Sequence, residues 1–219
     1  MMRLGHVFLL FLVGTVAACE KAPSPFQREG NAWQYKGAAI EGVDAPSFAP
    51  LSDHYAKDRN RVYYGDTYRE GREYFSIAHP RVAAIAGADA ATFRYIERGY
   101  ARDASRVYFE GAPHAVADVA TFALLDYVFA RDKASAYCHM TAIAGSDAAT
   151  FTVLDGHYAK DRARVYWCGI EVDGGARPPY VQVLALDADV GSFALVDATD
   201  GDSDARDARG AFKRGRRVR

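Results

Sequence analysis

Four aspartates recur at one place in a repeated phrase. Asp58, Asp103, Asp132 and Asp161 each follow an aromatic residue, an alanine and a Lys or Arg. Carboxylates that converge can serve as general acid and base. These instead occupy one turn position in successive copies, beside Lys57, Arg102, Arg131 and Lys160. A turn aspartate accepts backbone N–H groups two residues on, so the pattern makes them structural turn residues with solvated basic partners. His54 and His157 also hold equivalent places, which spreads them apart. No Gly-x-Ser-x-Gly elbow, His-Glu-x-x-His pair or phosphate loop occurs. No residue is therefore assigned a catalytic role, and no cofactor is implied.

Metal chemistry fares no better. Asp200-Gly-Asp202-Ser-Asp204 opens like a calcium loop, but Ala205 stands where such a loop has Gly and Ala211 where it has Glu. A flexible acidic loop is the better description. Cys138 and Cys168 could be grouped with His139 and His157 around zinc, yet the spacing fits no common ligand pattern. A disulfide is the simpler use, and an exported chain permits it. Strict repeat equivalence sets Cys138 and Cys168 on opposite faces of their strands, so a bulge or slip is expected if they join.

The elements that must hold these residues begin with the N-terminus. Met1-Met2-Arg3, the apolar run Val7 to Val13 and the small residues ending in Val16-Ala17-Ala18-Cys19 have the layout of a secretory signal peptide over residues 1–18. Val-Ala-Ala-Cys resembles a bacterial lipobox, in which Cys19 is lipidated and becomes the new N-terminus. Glu20 follows it; an Asp there would resemble an inner-membrane retention signal, so the outer membrane is favoured. Residues 19–32, with Pro23 and Pro25, are expected to be a flexible tether, and residues 33–219 one folded domain. The full chain has 27 basic and 28 acidic residues, net −1, and loss of residues 1–18 removes only Arg3. No global field argues for nucleic acid.

The folded region repeats itself. An Asp-x-x-Ser/Thr-Phe unit occurs at Asp44–Phe48, Asp89–Phe93, Asp118–Phe122, Asp147–Phe151 and Asp189–Phe193. An apolar residue follows three positions on, then the aromatic-Ala-basic-Asp phrase, then Val62-Tyr63, Val107-Tyr108, Ala136-Tyr137 or Val165-Tyr166. A fifth copy fits as Asp204-Ala-Arg-Asp207 with Ala211-Phe212 if four extra residues lie within Asp197–Ser203. Trp33 to Ile40 is the back half of a copy without a front half. The Asp and Ser/Thr favour a helix N-cap and so a helix of one or two turns. The two phrases that follow favour strands joined by a turn.

The expected fold is mainly β with short helices: tandem helix–hairpin units in one domain, as an open array or a propeller-like ring. Strand-like patterns at Arg69 to Ile77 and Tyr180 to Leu186 lengthen two of the spacings, with Gly174-Gly175 and Pro178-Pro179 as a turn. Lys213, Arg214, Arg216, Arg217 and Arg219 form the strongest charge run. The register makes this run the last strand of the last hairpin, its charges guarding an edge; the alternative is a cationic tail that contacts an anionic lipid or another acidic surface.

Tyr-Ala-Lys-Asp-Arg-Asn-Arg-Val-Tyr-Tyr at 55–64 resembles the motif of the DKNYY family of bacterial envelope proteins, many of them predicted lipoproteins. Only this copy carries the Asn; Ser105, Ala134 and Ala163 stand there in the others. The resemblance implies the repeat architecture and supplies no site. The favoured function is a non-catalytic, lipid-anchored envelope protein presenting a β-repeat surface to a protein or glycan. The alternative, by analogy, is an immunity-type lipoprotein that neutralises a toxin in the periplasm; an enzyme ranks third.

Overall fold

A computed structural model describes residues 23–71, 76–172, 179–196 and 203–218. The leader, Cys19, Asp200, Asp202, Gly174, Gly175, Pro178 and Arg219 lie outside the described residues. Within them the chain is β throughout, arranged as six small antiparallel sheets. The N-terminal sheet has β1 (Phe26–Glu29), β2 (Ala32–Tyr35) and β3 (Ala38–Ala39). Unit 1 has β4 (Ala49–Pro50), β5 (Tyr55–Lys57), β6 (Val62–Tyr68) and β7 (His79–Ala84). Unit 2 has β8 (Arg94–Glu97), β9 (Tyr100–Arg102), β10 (Val107–Phe109) and β11 (Ala112–His114). Unit 3 has β12 (Ala123–Leu124), β13 (Phe129–Arg131), β14 (Ala136–Cys138) and β15 (Thr141–Ala142). Unit 4 has β16 (Thr152–Asp155), β17 (Tyr158–Lys160), β18 (Val165–Glu171) and β19 (Tyr180–Leu186). Unit 5 has β20 (Ala194–Leu195), β21 (Ala205–Asp207), β22 (Gly210–Lys213) and β23 (Arg216–Arg217). Each sheet is a meander in which consecutive strands pair.

Three expectations are corrected here. The Asp-x-x-Ser/Thr-Phe segments are turns, and the expected short helices are absent from the described residues. The Ser47 hydroxyl donates to the Asp44 carboxylate and accepts the Arg59 N–H at 3.0 Å. The hydroxyl thus ties the turn to the next hairpin, and the chain after Phe48 pairs as a strand with β5. Apolar spacing that resembles a helix face is used by a strand. The second correction concerns the tether: β1 lies inside residues 19–32 and pairs with β2, Phe26 opposite Tyr35. It supplies one strand of the missing front half. The third concerns the extension in unit 1, whose added strand among the described residues is β7; the described ends of Arg69 to Ile77 are not strand, and residues 72–75 lie outside the described residues. Its counterpart, Tyr180–Leu186, is where the pattern placed it.

Alternate residues of a strand point to opposite faces, and both faces of these sheets are covered. In unit 1, Tyr55 and Val62 pack with Ala90, Phe93, Ala101 and Tyr108 of unit 2. Their neighbours Ala56 and Tyr63 pack the other way, against Phe26, Tyr35 and Ile40. The same alternation builds the interfaces of units 2 and 3, 3 and 4, and 4 and 5. No core cluster of the described residues joins the N-terminal sheet to unit 5, so the array is open.

The ends of the stack are different. Positions held by Tyr55, Val62 and Tyr64 in unit 1 become Asp204, Ala211 and Lys213 in unit 5. At the other end, Gln27, Glu29 and Gln34 share the outer face of the N-terminal sheet, with Gln34 donating to Glu29 at 2.8 Å. Polar outer faces are what terminal repeats need for solubility. The fifth copy is degenerate at the positions that in unit 1 pack against the next unit.

Cys138 and Cys168 form a disulfide with Cα atoms 6.2 Å apart. No bulge or slip is involved. Cys138 faces forward from unit 3 and Cys168 faces back from unit 4, and both lie in the cluster between those units. Opposite faces of equivalent strands are what two stacked sheets present to each other. A Cys138→Ser/Cys168→Ser variant should lose roughly 3–4 kcal/mol, the chain-entropy value for a loop of about thirty residues; denaturant unfolding measures it. Ending the chain after Gly210 removes β23 and the buried Phe212. It should lower the melting temperature and leave the interface of units 4 and 5 rapidly exchanging in hydrogen exchange.

Candidate functional site: aspartate hubs and edge grooves

The repeated aspartates are buried, at 2–4% exposure across Asp58, Asp103, Asp132 and Asp161. At Asp161, Oδ1 accepts the N–H groups of Ala163 and Arg164, both at 2.8 Å. Oδ2 accepts the Asp147 N–H at 2.9 Å and the Tyr166 hydroxyl at 2.7 Å. Asp58, Asp103 and Asp132 make the same four bonds, to residues at the same offsets. One carboxylate thus closes its own hairpin turn, holds the start of the preceding turn and orients a tyrosine.

Burial alone would raise these carboxyls, and it is the largest single influence. The four donors together outweigh it and hold all four below the usual carboxylate range, Asp103 at about 2. Burial and the adjoining carboxylate push the tyrosines the other way, Tyr108 and Tyr166 to about 12. A carboxylate held ionised with every lone pair engaged is a poor general base and has no proton to give. The expectation of a turn-capping role is extended: the residues cap turns, but as buried hubs.

The neighbouring cations are not solvated partners of these carboxylates, which corrects that expectation. Lys57 donates to the Ala90 and Phe93 carbonyls of the next unit at 2.9 and 3.1 Å. Arg102, Arg131 and Lys160 reach the corresponding turns of units 3, 4 and 5. Tyr55 donates to Gly99 and accepts the Gly111 N–H at 2.8 Å. Tyr158 repeats this with Asp204 at 2.6 Å and Gly215 at 2.8 Å. Gly111 has φ +78°, and a Cβ there would lie 2.6 Å from the Tyr64 ring. Between units 3 and 4 the equivalent residue is Phe129, which has no hydroxyl; the disulfide spans that interface.

Unit 5 solves the hub differently. Phe212 replaces the tyrosine, and Arg217 donates to both oxygens of Asp207 at 3.1 and 3.0 Å. Its guanidinium lies 4.4 Å from the Phe212 ring centre. Arg217 is the strongest influence holding Asp207 well below the usual carboxylate range. The described part of the basic run thus lies in and between β22 and β23, as its register required, and one exposed member, Arg217, pairs with the buried Asp207.

The remaining candidates are also accounted for. His54 and His157 each place Nδ1 on a backbone carbonyl, of Gly65 at 2.7 Å and Cys168 at 2.9 Å. Burial, with a smaller effect of His157, lowers His139. Asp204, the described member of the acidic loop, has both oxygens engaged, by Tyr158 and by the Arg214 N–H at 2.7 Å. Among the described residues no group of three or more His, Cys, Asp or Glu could hold a metal ion, and the two cysteines are joined to each other.

What sequence reasoning did not reveal lies along the strand edges. A groove of about 450 Å³ runs between β7 of unit 1 and β11 of unit 2, with the side chains of Ala83, Ile85 and Pro113 on its walls, while Val82 packs against the N-terminal core. Glu110 also lines it, as do Asp66 and Arg81, which are joined in an ion pair. A smaller groove of about 230 Å³ lies between β15 and β19, lined by Thr141, Ile143, Val181 and Val183 among others, with no charged residue.

A stack of antiparallel meanders, each pinned by a buried aspartate hub, defines a tandem β-repeat protein. The chain matches the DKNYY family over residues 68–141 and 129–214, and it belongs to that family. The copy nearest the motif, 55–64, lies outside the matched ranges. No curated protein and no solved structure matches the chain.

The hubs make a pH prediction. A carboxyl depressed in the fold contributes stability that is complete above its unfolded value of about 4. That contribution is lost as pH falls through the folded value, about 2 at Asp103. The hub contribution to the unfolding free energy should be nearly flat from pH 7 to 5 and fall steeply between pH 4 and 2. Asp161→Ala orphans four donors and should cost roughly 2–4 kcal/mol at pH 7, with a shallower acid limb; chemical denaturation across pH measures both.

Proposed function

We propose that this chain is a lipid-anchored protein of the bacterial envelope, held by Cys19, that presents the edges of its β stack to a partner and catalyses no reaction. The observation that carries the reading is the fate of the recurring polar groups. The hub aspartates, their tyrosines, the basic residues before them and the Ser/Thr hydroxyls are all engaged in holding one unit or joining it to the next. What differs between units, and so can distinguish a partner, is the outer strand of each sheet. The Val-Ala-Ala-Cys19 run supports the anchor, and Glu20 favours the outer membrane. With β1 beginning at Phe26, residues 20–25 would keep the N-terminal sheet within ~20 Å of the bilayer.

Mass spectrometry of the membrane fraction should find an acylated N-terminal Cys19, and Cys19→Ser should yield a soluble periplasmic product. Membrane retention of that variant would remove the anchor from the proposal. Cross-linking in intact envelope, followed by detergent extraction, should give a discrete adduct; its absence from cells that express the folded protein would count against the binding role.

A further inference from the structure

The end faces are polar, the inter-unit faces are filled and the hub groups are engaged, which leaves the strand edges. Resting on the reading of the chain as a binding protein, we propose that the β7–β11 groove docks an extended segment of a partner protein. The segment pairs its backbone with β7 and sets a lysine or arginine against Glu110.

Three observations carry this. The first is a backbone one. β7 pairs with β6 alone, and Ile85 N–H turns inward to the Val62 carbonyl at 2.8 Å. Along an antiparallel edge strand inward and outward residues alternate, so Val82 and Ala84 direct their N–H and C=O groups outward. Pro80 shares their parity, the place an edge strand tolerates a residue without an N–H. On the facing wall Pro113 removes a donor from β11, which leaves β7 as the edge able to receive a strand.

The second observation is charge. Asp66 and Arg81 neutralise each other with a two-point contact. Among the described residues the Glu110 carboxylate makes no hydrogen bond or ion pair, so the groove carries one unanswered negative charge beside an aliphatic wall. A glycan would need several directed polar side chains, whereas the side chains of Ala83, Ile85 and Pro113 offer a small apolar wall to those of a strand. The third observation is an internal control: the β15–β19 groove has a similar aliphatic lining and no carboxylate.

The test uses the soluble Cys19→Ser chain, isotopically labelled, and two capped pentapeptides, Val-Lys-Val-Ala-Val and its Lys-to-Glu counterpart. The lysine peptide should shift the amide signals of Val82, Ala84 and Ala112 and leave Thr141 and Val183 unmoved. Its affinity should fall about tenfold with Glu110→Gln, and by at least as much when its lysine is exchanged for glutamate. Ala84→Pro removes an outward N–H without touching the β6–β7 ladder; it should abolish binding while circular dichroism and the order of the β6–β7 amides stay native. No binding, equal affinity for both peptides or shifts elsewhere would overturn the proposal. So would groove shifts with an N-acetylglucosamine oligomer in place of the peptides. If the envelope adduct forms unchanged with Glu110→Gln and Ala84→Pro, the groove is wrong and the binding role stands. If neither peptide binding nor the adduct is seen, both fall.

Discussion

Each interior sheet depends on one buried carboxylate. An ionised group removed from water is tolerated only when fully hydrogen-bonded, and the hub aspartates meet that condition with donors from three places at once. Two come from the aspartate's own turn, one from the turn fourteen residues earlier and one from a core tyrosine. The carboxylate therefore fixes a spacing as well as a conformation. The stretch from Asp44 to Asp58 recurs at the same length in units 2, 3 and 4, and the earlier N–H reaches the carboxylate in each. In unit 5 the interval is eighteen residues, yet Asp189 still reaches Asp207 at 2.9 Å. Its extra residues fall in sequence between β20 and β21.

From that constraint follows a sheet with no solvent face in its middle strands. Tyr55 and Ala56, or Val62 and Tyr63, are neighbours in sequence that belong to different interfaces. Stability is then a sum over adjacent pairs of units, and each pair is fastened in its own way. Tyrosine hydroxyls bridge units 1 and 2 and units 4 and 5, the disulfide bridges units 3 and 4, and a basic side chain spans every junction from unit 1 to unit 5.

Much of this was legible in the sequence because the repeat writes the strands in β-branched and aromatic residues. Tyr-Ala-Lys-Asp and Val-Tyr are strands where the pattern placed them, and the basic terminus is a hairpin as its register required. The helix reading failed at the Ser/Thr, since a hydroxyl three residues after an Asp serves a helix cap and an isolated turn equally well. Which of the two forms depends on the Arg59 N–H, twelve residues away. β1 was missed because Phe26 is the one apolar residue of Phe-Gln-Arg-Glu, and a strand on an end sheet needs no more. The cysteines looked mismatched as long as faces were compared within one sheet; their meeting is a property of two. The edge grooves were not legible at all. Glu110 is marked in sequence only as the residue before Gly111, and its place beside β7 exists only once units 1 and 2 are stacked.

The disulfide at the middle of an otherwise serial stack has a mechanical consequence. A chain loaded along its length yields an open array one junction after another, each releasing a short run of peeled strands. Cys138 and Cys168 are thirty residues apart, so ~100 Å of contour sits behind a covalent bond and cannot be drawn out while that bond holds. Units 3 and 4 would remain a joined block as their neighbours give way. The protein would lengthen stepwise under tension and stop short of its full extension, a tether with a built-in limit whose setting depends on the redox state of its surroundings.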